Sequence, residues 1–189
     1  MVQQRRISIS TFIQDREMEY LLRPVKLIVK HNLPKITMNS FEIEESKERD
    51  LIELPRWAAE EIAKLGFVEI QEESFEVEML KALSRERIQS STQISTLTDD
   101  FYLKLKRHLR RLKNDTKTKK SSKNDYDESY IKATDLLKIR TAKLLPLTVG
   151  EDNQEIMQKI TSEEQTLFNE VRNTVQKWKQ KILEENIDE

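Results

Sequence analysis

Residues 54–66 read LPRWAAEEIAKLG and carry the clearest local structural signal in the chain. Proline suits the first turn of a helix, where its missing N–H is not needed, and glycine suits the left-handed residue just past the end. Between them an apolar stripe recurs at helical spacing: Trp57, Ala58, Ile62 and Leu65. The segment predicts a short amphipathic helix that begins at Pro55, ends before Gly66 and packs Trp57 inward.

Short apolar segments on either side of this helix have the composition of β-strands. They are residues 25–29, 41–44, 51–54 and 67–70. The first is rich in β-branched residues, and the second alternates apolar and charged residues, as in a strand with one face in water. We therefore predict a small β-rich domain over residues 22–72. Residues 1–21 form an N-terminal extension, and the segment from Ile9 to Leu22 has a pattern compatible with a helix.

From residue 75 onward the apolar period changes from two to about 3.6, which is typical of helices. Four helices are predicted, beginning near Phe75, Phe101, Asp127 and Ser162. Thr98 is the expected cap of the second, and Pro146 is expected to stop the third after residue 145. Thr161 and Glu164 have the spacing of a capping box for the last helix.

Two polar segments separate these helices, a Lys/Ser-rich loop at about 114–126 and a second loop over 148–159. Residues 73–189 are therefore predicted to form a larger all-α helical bundle domain. The expected fold class is α+β, with a small β-rich N-terminal domain carrying one short helix, followed by the helical domain.

The composition excludes several functional classes. The chain has 189 residues and no cysteine, which removes disulfides, thiolate metal sites and a cysteine nucleophile. Its two glycines, Gly66 and Gly150, lie too far apart for a phosphate-binding loop. No apolar run is long enough to span a bilayer, and the N-terminus lacks the apolar core of a signal peptide. We expect a soluble, intracellular protein.

Charge is distributed unevenly along the chain although the formal net charge is only −1. Residues 103–123 contain ten bases and one acid, whereas residues 69–78 contain five acids and no base. A basic stripe of this density could contact a phosphate backbone or an acidic protein, or it could be a solvated helix face followed by a loop. The candidate contacts are Lys104, Arg107, Arg110, Arg111, Lys117, Lys119, Lys120 and Lys123.

Catalytic and metal-binding patterns are not found in the sequence. His31 and His108 are far apart, and neither has the helical i, i+4 partner that a metal site would use. Carboxylates are spread along helix faces, and no nucleophile motif occurs. We therefore expect no enzyme, no cofactor and no metal.

Aromatic and aliphatic residues on two of the predicted helices are candidates for the core and for contacts with other subunits. They are Phe101, Tyr102 and Leu105 on the second helix, and Phe168, Val171, Val175 and Trp178 on the last. Trp and Tyr are enriched at subunit interfaces. Trp178 lies late on a long helix, where either the core or another subunit could cover it.

Four segments, in this order, resemble subunits of the GINS complex, the replication-fork scaffold of archaea and eukaryotes. They are Leu54 to Val68; Ser90 to Tyr102; the Arg-Thr-Ala-Lys-Leu-Leu helix end over 140–145; and Ile160 to Phe168 with Trp178 and Lys179 downstream. The β-rich unit comes first, which resembles the archaeal class related to the second and third eukaryotic partner subunits. The N-terminal extension and the Lys/Ser-rich insertion have no match in that pattern.

The resemblance implies a non-enzymatic subunit of a heterotetramer that contains two copies of each of two GINS subunit types. It further implies binding to the MCM helicase, to a RecJ-like (Cdc-type) protein and to primase, with weak or indirect DNA contact, no membrane, and a cytoplasmic, nucleoid-associated location. The leading hypothesis is thus a scaffold supporting the replicative DNA helicase. The alternatives are a stand-alone basic helical nucleic-acid-binding module and, less favoured, a small hydrolase with a carboxylate site.

Overall fold

The computed structural model describes residues 9–38, 41–118, 123–150 and 154–183 of the chain. It contains both helices and strands, so the predicted mixed α+β class is confirmed. The described residues divide into two compact units, one over Thr11–Glu73 and the other over residues from Ser74 onward together with residues 9 and 10. All strands of the described residues lie in the first unit.

The first unit is built on a three-stranded antiparallel sheet with β1 at its centre. Its elements in chain order are α1 (Ile9–Leu22), β1 (Pro24–Val29), β2 (Ile36–Met38), β3 (Phe41–Ile43), β4 (Leu51–Pro55), α2 (Arg56–Lys64) and β5 (Val68–Ile70). Leu27 of β1 lies opposite Ile52 of β4 on one side and Ile70 of β5 on the other. β2 and β3 form a separate antiparallel pair, with Thr37 opposite Glu42.

Alternating burial along β1 sets the core of this unit. Val25, Leu27 and Val29 are buried, since side chains two apart on a strand point to the same face. Ala59 and Ile62 of α2 belong to the same cluster of buried side chains. The helix that lies between β4 and β5 in sequence therefore contributes Ala59 and Ile62 to the sheet face, whereas Leu65 of the predicted apolar stripe is 73% exposed.

The predicted helix over 55–66 forms, with two differences. α2 begins at Arg56, because Pro55 keeps an extended conformation and ends β4. Trp57 is not packed inward: it is 36% exposed, because Ala58 and Ala59 occupy the face towards the sheet. Gly66 has φ +83°, the left-handed conformation expected just past the helix end.

Arg56 connects α1 to the rest of the unit. Its buried guanidinium lies 4.3 Å from the centre of the Tyr20 ring and forms a two-pronged ion pair with Glu72. Burial alone would lower the pKa of Arg56, but the hydrogen bonds that it donates to Glu72 and the neighbouring charges raise it. The helix predicted as part of an N-terminal extension is thus packed as a component of this unit.

The second unit is helical throughout its described residues. Its elements are α3 (Phe75–Ile88), α4 (Phe101–Lys117), α5 (Lys123–Leu147), α6 (Gln154–Met157) and α7 (Ser162–Leu183). One buried cluster joins α3, α4 and α5 through residues such as Met79, Phe101 and Leu136. A second cluster contains Ile94, Leu144, Ile160 and Phe168 and brings the start of α7 against the end of α5.

Helix replaces much of the predicted Lys/Ser-rich loop at 114–126. α4 continues to Lys117 and α5 begins at Lys123, while residues 119–122 lie outside the described residues. The Thr116 hydroxyl donates to the Leu112 carbonyl at 2.8 Å, so this polar side chain is satisfied within its own helix. Helix therefore extends into the predicted loop from both sides, over residues 114–117 and 123–126.

Three other helix-boundary predictions differ from the structure. α5 passes through Pro146 and ends at Leu147, since a proline this close to the C-terminus interrupts little of the remaining helix. Thr98 does not cap α4; its hydroxyl donates to Glu78 at 2.7 Å, and the cap position is Asp100. The short helix α6 lies within the predicted 148–159 loop.

Candidate functional site

A buried ion pair holds the N-terminal end of α7 against α5. Arg140 of α5 donates from Nε to Glu164 Oε1 at 2.5 Å and from Nη2 to Glu164 Oε2 at 2.7 Å. The Arg140 residue is only 1% exposed and Glu164 4%. Two parallel charge-assisted bonds fix both the distance and the orientation of the two helices at this point.

Glu86 of α3 joins the same cluster from the other side of Arg140. Arg140 Nη1 donates to Glu86 Oε1 at 2.6 Å, and Lys143 Nζ donates to Glu86 Oε2 at 2.7 Å. The Ser95 backbone N–H and hydroxyl also donate to Glu86 Oε1, at 2.9 and 2.5 Å. Glu86, Arg140, Lys143 and Glu164, here named the ionic cluster, hold two positive and two negative charges, so the buried charge is balanced.

The predicted capping box at the start of α7 is confirmed and is part of this arrangement. The Thr161 N–H donates to Glu164 Oε2 at 3.1 Å, and the Glu164 N–H donates to Thr161 Oγ1 at 3.3 Å. The Tyr102 hydroxyl of α4 donates to Glu164 Oε1 at 2.6 Å. One carboxylate therefore caps α7 and ties it to both α4 and α5.

Burial and neighbouring charges both shift the pKa values of the groups in and around the ionic cluster. Burial acts to raise the pKa of Glu86, but the hydrogen bonds from Lys143 and Ser95 outweigh it, so the pKa lies below its ordinary value. Burial acts to lower the pKa of Arg140, and Glu164 raises it above its ordinary value. Burial and the charge of Glu164 both raise the pKa of the Tyr102 hydroxyl. The network is hydrogen-bonded on several sides, which suits it to position helices.

Sequence reasoning did not find the ionic cluster, although a signal for it exists. Arg140 lies four residues after Leu136 and seven after Ala133, so a charged residue occupies the buried face of α5. Glu86 likewise lies three residues after Leu83 on α3. Charged residues at apolar-face positions on two helices, one acidic and one basic, indicate a buried pair.

The C-terminal part of α7 exposes large apolar side chains. Phe168 is 6% exposed, whereas Trp178 is 61% and Ile182 65% exposed. Val171 and Val175, between them, are half-buried. We name residues 162–168 the anchored segment and residues 169–183 the distal segment. The predicted contact residues on α7 thus follow one line that runs from the core into an exposed face.

The other predicted core or subunit contacts lie inside the helical unit. Phe101 is fully buried and its ring lies 5.2 Å from that of Phe75. Leu105 is buried in the same cluster, and Tyr102 packs against it while its hydroxyl reaches Glu164. In this unit these three residues form core contacts.

The outer face of α5 carries a second exposed apolar surface that the sequence analysis did not single out. Tyr130, Leu137 and Leu145 are between 42% and 53% exposed and recur at intervals of seven and eight residues. Tyr126 stacks on Tyr130 with ring centres 5.9 Å apart. The Thr134 hydroxyl donates to the Tyr130 carbonyl at 2.8 Å, so this polar group is satisfied within its own helix.

The structure describes six of the eight predicted basic contacts, and they differ in exposure. Lys104 lies 3.3 Å from Glu78 and 3.3 Å from Asp100, so its charge is balanced locally. Arg110, Arg111 and Lys117 are exposed on α4, Arg107 is half-buried, and Lys123 is exposed at the start of α5. The predicted contacts Lys119 and Lys120 lie outside the described residues.

Neither histidine has the surroundings of a metal ligand. His31 is exposed. His108 is 8% exposed, with its ring 5.5 Å from that of Phe75, and burial together with the charge of Arg111 lowers its pKa. No group of three or more acidic or histidine side chains suited to a metal ion occurs in the described parts of the chain. Within those same parts, no helix combines the length and apolarity needed to cross a membrane.

Comparison with known proteins gives no assignment: no protein-family model matches the chain, and no curated protein matches it.

Proposed function

We propose that this chain is a scaffold subunit that assembles with a partner subunit through the distal segment of α7 and has no enzymatic role. The observation that carries the proposal is the exposure of Trp178 and Ile182 on a helix whose other end is fixed by the ionic cluster. Large apolar side chains in line on one helix face are typical of surfaces that a partner covers. The exposed Tyr130 and Leu137 on α5 add a second such surface.

The proposed assembly is of the GINS type, in which the subunit supports the replicative helicase. The sequence resemblance supports this, and three of the segments that carry it supply the residues that bond to Glu164: Tyr102, Arg140 and Thr161. The proposal includes a β-rich N-terminal domain followed by a helical domain, a cytoplasmic, nucleoid-associated location, and two copies of each subunit. Its proposed partners are a second GINS subunit type, the MCM helicase, a RecJ-like protein and primase.

Determining the mass of the chain alone and with a candidate second subunit tests this proposal. Light scattering after size exclusion should show a two-plus-two complex for the mixture, and the Trp178→Ala/Ile182→Ala variant should not form it. Leu51→Ala is a matched control, because Leu51 is 74% exposed but lies on the sheet. Two separate species for the wild-type mixture, or unchanged assembly of the α7 variant, would contradict the proposal.

A second candidate function is binding of a nucleic-acid backbone by α4. Lys106, Arg110, Lys113 and Lys117 are all exposed and follow one line at intervals of four, three and four residues. Basic side chains at this spacing can follow successive phosphates, and their affinity would fall steeply with salt. Replacing Lys106, Arg110, Lys113 and Lys117 with Gln, with the affinity for fork DNA measured at two salt concentrations, tests this line of bases. Unchanged affinity would assign the four side chains to solvation.

A further inference from the structure

The apolar residues of α7 follow a strict heptad pattern. Phe168, Val171, Val175, Trp178 and Ile182 recur at intervals of three, four, three and four residues, which places them at alternating a and d positions. This spacing keeps one seam facing a partner helix over about 21 Å. The four members after Phe168 belong to the distal segment, where the seam becomes progressively more exposed.

The flanks of this seam carry one sign of charge. Taking Phe168 and Val175 as a positions, Arg172 and Lys179 occupy e, and Thr174 and Lys181 occupy g. Arg172 lies over the Phe168 ring at 5.9 Å, Lys179 is half-buried and Lys181 is exposed. No acidic residue occupies an e or g position between 168 and 182, and Glu170 lies at c.

The flanking charges select the partner, because residues at e and g face the flanks of the opposing helix. A second copy of α7 would place lysine and arginine opposite lysine, arginine or threonine, in either direction of packing. Like charges across such a seam disfavour pairing, whereas glutamate or aspartate would form ion pairs there. The face is therefore unsuited to its own copy and complementary to an acidic helix.

The apolar seam also favours a protein helix over nucleic acid as the binding partner. Val175, Trp178 and Ile182 form a continuous apolar surface between the two basic flanks. A phosphate backbone would neutralise the lysines but leave these side chains uncovered, whereas an amphipathic helix would cover both. We infer that the distal segment of α7 binds an amphipathic helix of a different chain, with apolar residues at a and d and acidic residues at e and g. This deepens the proposed function and rests on it, since it specifies the chemistry of the partner at the same face.

Synthetic helical peptides test whether the distal segment prefers acidic residues at e and g of the bound helix, and they do not require the natural partner. The probe is a labelled three-heptad peptide with Leu at a and d and Glu at e and g. The control peptide has Lys at e and g and is otherwise identical. In fluorescence-anisotropy titrations with the full chain at low salt, the acidic peptide should bind about tenfold more tightly than the basic one. The difference should shrink as salt is added.

Two lysine variants test whether the preference for the acidic peptide depends on the e positions beside the seam or only on the net charge of the segment. Lys179→Glu changes an e position, and Lys177→Glu makes the same charge change two residues away at c. The first should remove most of the preference for the acidic peptide and the second should change it little. Equal effects of the two variants, equal binding of the two peptides, or complete competition by a DNA duplex would overturn the inference. Concentration-dependent dimerisation of the chain that Trp178→Ala abolishes would also overturn it, in favour of a second copy.

The same variants distinguish failure of this inference from failure of the proposed function. One outcome is that Trp178→Ala/Ile182→Ala abolishes assembly with the second subunit while Lys179→Glu and Lys177→Glu leave it equally intact. In that case the scaffold role stands, and the inference that the bound helix is acidic at e and g fails. If the second subunit does not bind but the acidic peptide binds with the predicted preference, the distal segment is still a binding surface for an acidic helix, and the proposed GINS-type assembly fails.

Discussion

The two segments of α7 have similar apolar spacing and opposite environments. In the anchored segment, Phe168 is buried and Glu164 is bonded to Arg140 and Tyr102. In the distal segment, Trp178 and Ile182 continue the same line with more than half of each side chain exposed. Since helices of this length depend on tertiary packing for much of their stability, the distal segment is the part of the helix that a partner would stabilise.

This difference shows how an apolar pattern can serve two purposes along one helix. The heptad line is continuous, so spacing alone does not separate core from surface. What separates them is the ionic cluster, which binds only the first turns of α7 to its own unit. Substitutions in the two segments should therefore give different kinds of effect, one on folding and the other on assembly.

The largest expected effect comes from Arg140→Ala. The change leaves Glu164 and Glu86 buried without their shared cation, which should lower the free energy of unfolding by about 3–5 kcal/mol. Urea denaturation monitored by circular dichroism measures it. Arg87→Ala is the control, because Arg87 pairs with Asp135 at 3.1 Å but both side chains are exposed, and its effect should stay below about 1 kcal/mol. Similar losses for the two variants would contradict the assigned role of the cluster.

A slightly smaller loss is expected for Phe168→Ala. The change opens a cavity beside Leu144 and Ile160 in the second buried cluster, which should lower the free energy of unfolding by about 3 kcal/mol. The same urea titration measures it, and Val175→Ala, on the same line but half-buried, should lose less than half as much. Equal losses would mean that the anchored and distal segments do not differ in packing.

Acid should weaken the anchored segment through Glu86. Its pKa in the folded chain lies below the ordinary value of 4.5, so its contribution to stability is complete above that value and is lost as the pH falls through the folded pKa. Unfolding free energies measured between about pH 5 and pH 3 should therefore decline. Glu86→Gln should be less stable at neutral pH and should show a shallower decline in this range. An identical decline in the two proteins would assign the acid sensitivity to other carboxylates.

The smallest effect on folding is expected for Trp178→Ala. Because this side chain is 61% exposed, the free energy of unfolding should change by no more than about 0.5 kcal/mol. Assembly with the partner subunit should nevertheless be lost, as measured by light scattering of the mixture. A variant that is strongly destabilised on its own would show that Trp178 is part of the core of this chain.

Local patterns were sufficient to predict much of the fold. The β-branched segment at Val25 to Val29 forms β1, Gly66 has the predicted left-handed conformation, and Thr161 and Glu164 form their capping box. These features depend on residues that are close in sequence, whose spacing fixes the geometry. Trp57 was misplaced because a nine-residue helix with several small apolar residues has more than one possible inward face.

The candidate site was predictable only in part. The apolar line from Phe168 to Trp178 was visible from its spacing, but the point at which it leaves the core was not. That point depends on Arg140, whose bonded partners Glu86 and Glu164 are 54 and 24 residues away in sequence. The positions of Arg140 and Glu86 on apolar helix faces indicate buried charges, but which residues pair over such distances is decided by how three helices pack.

Hydrogen exchange along α7 tests the central claim most directly. Peptide-resolved exchange of the full chain would be measured alone and after addition of the second subunit. Residues 162–168 should exchange slowly in both samples, because the ionic cluster and Phe168 hold them. Residues 169–183 should exchange rapidly in the free chain and slowly in the mixture. Unchanged exchange of residues 169–183 on adding the partner would contradict the claim that this segment is the partner-binding surface.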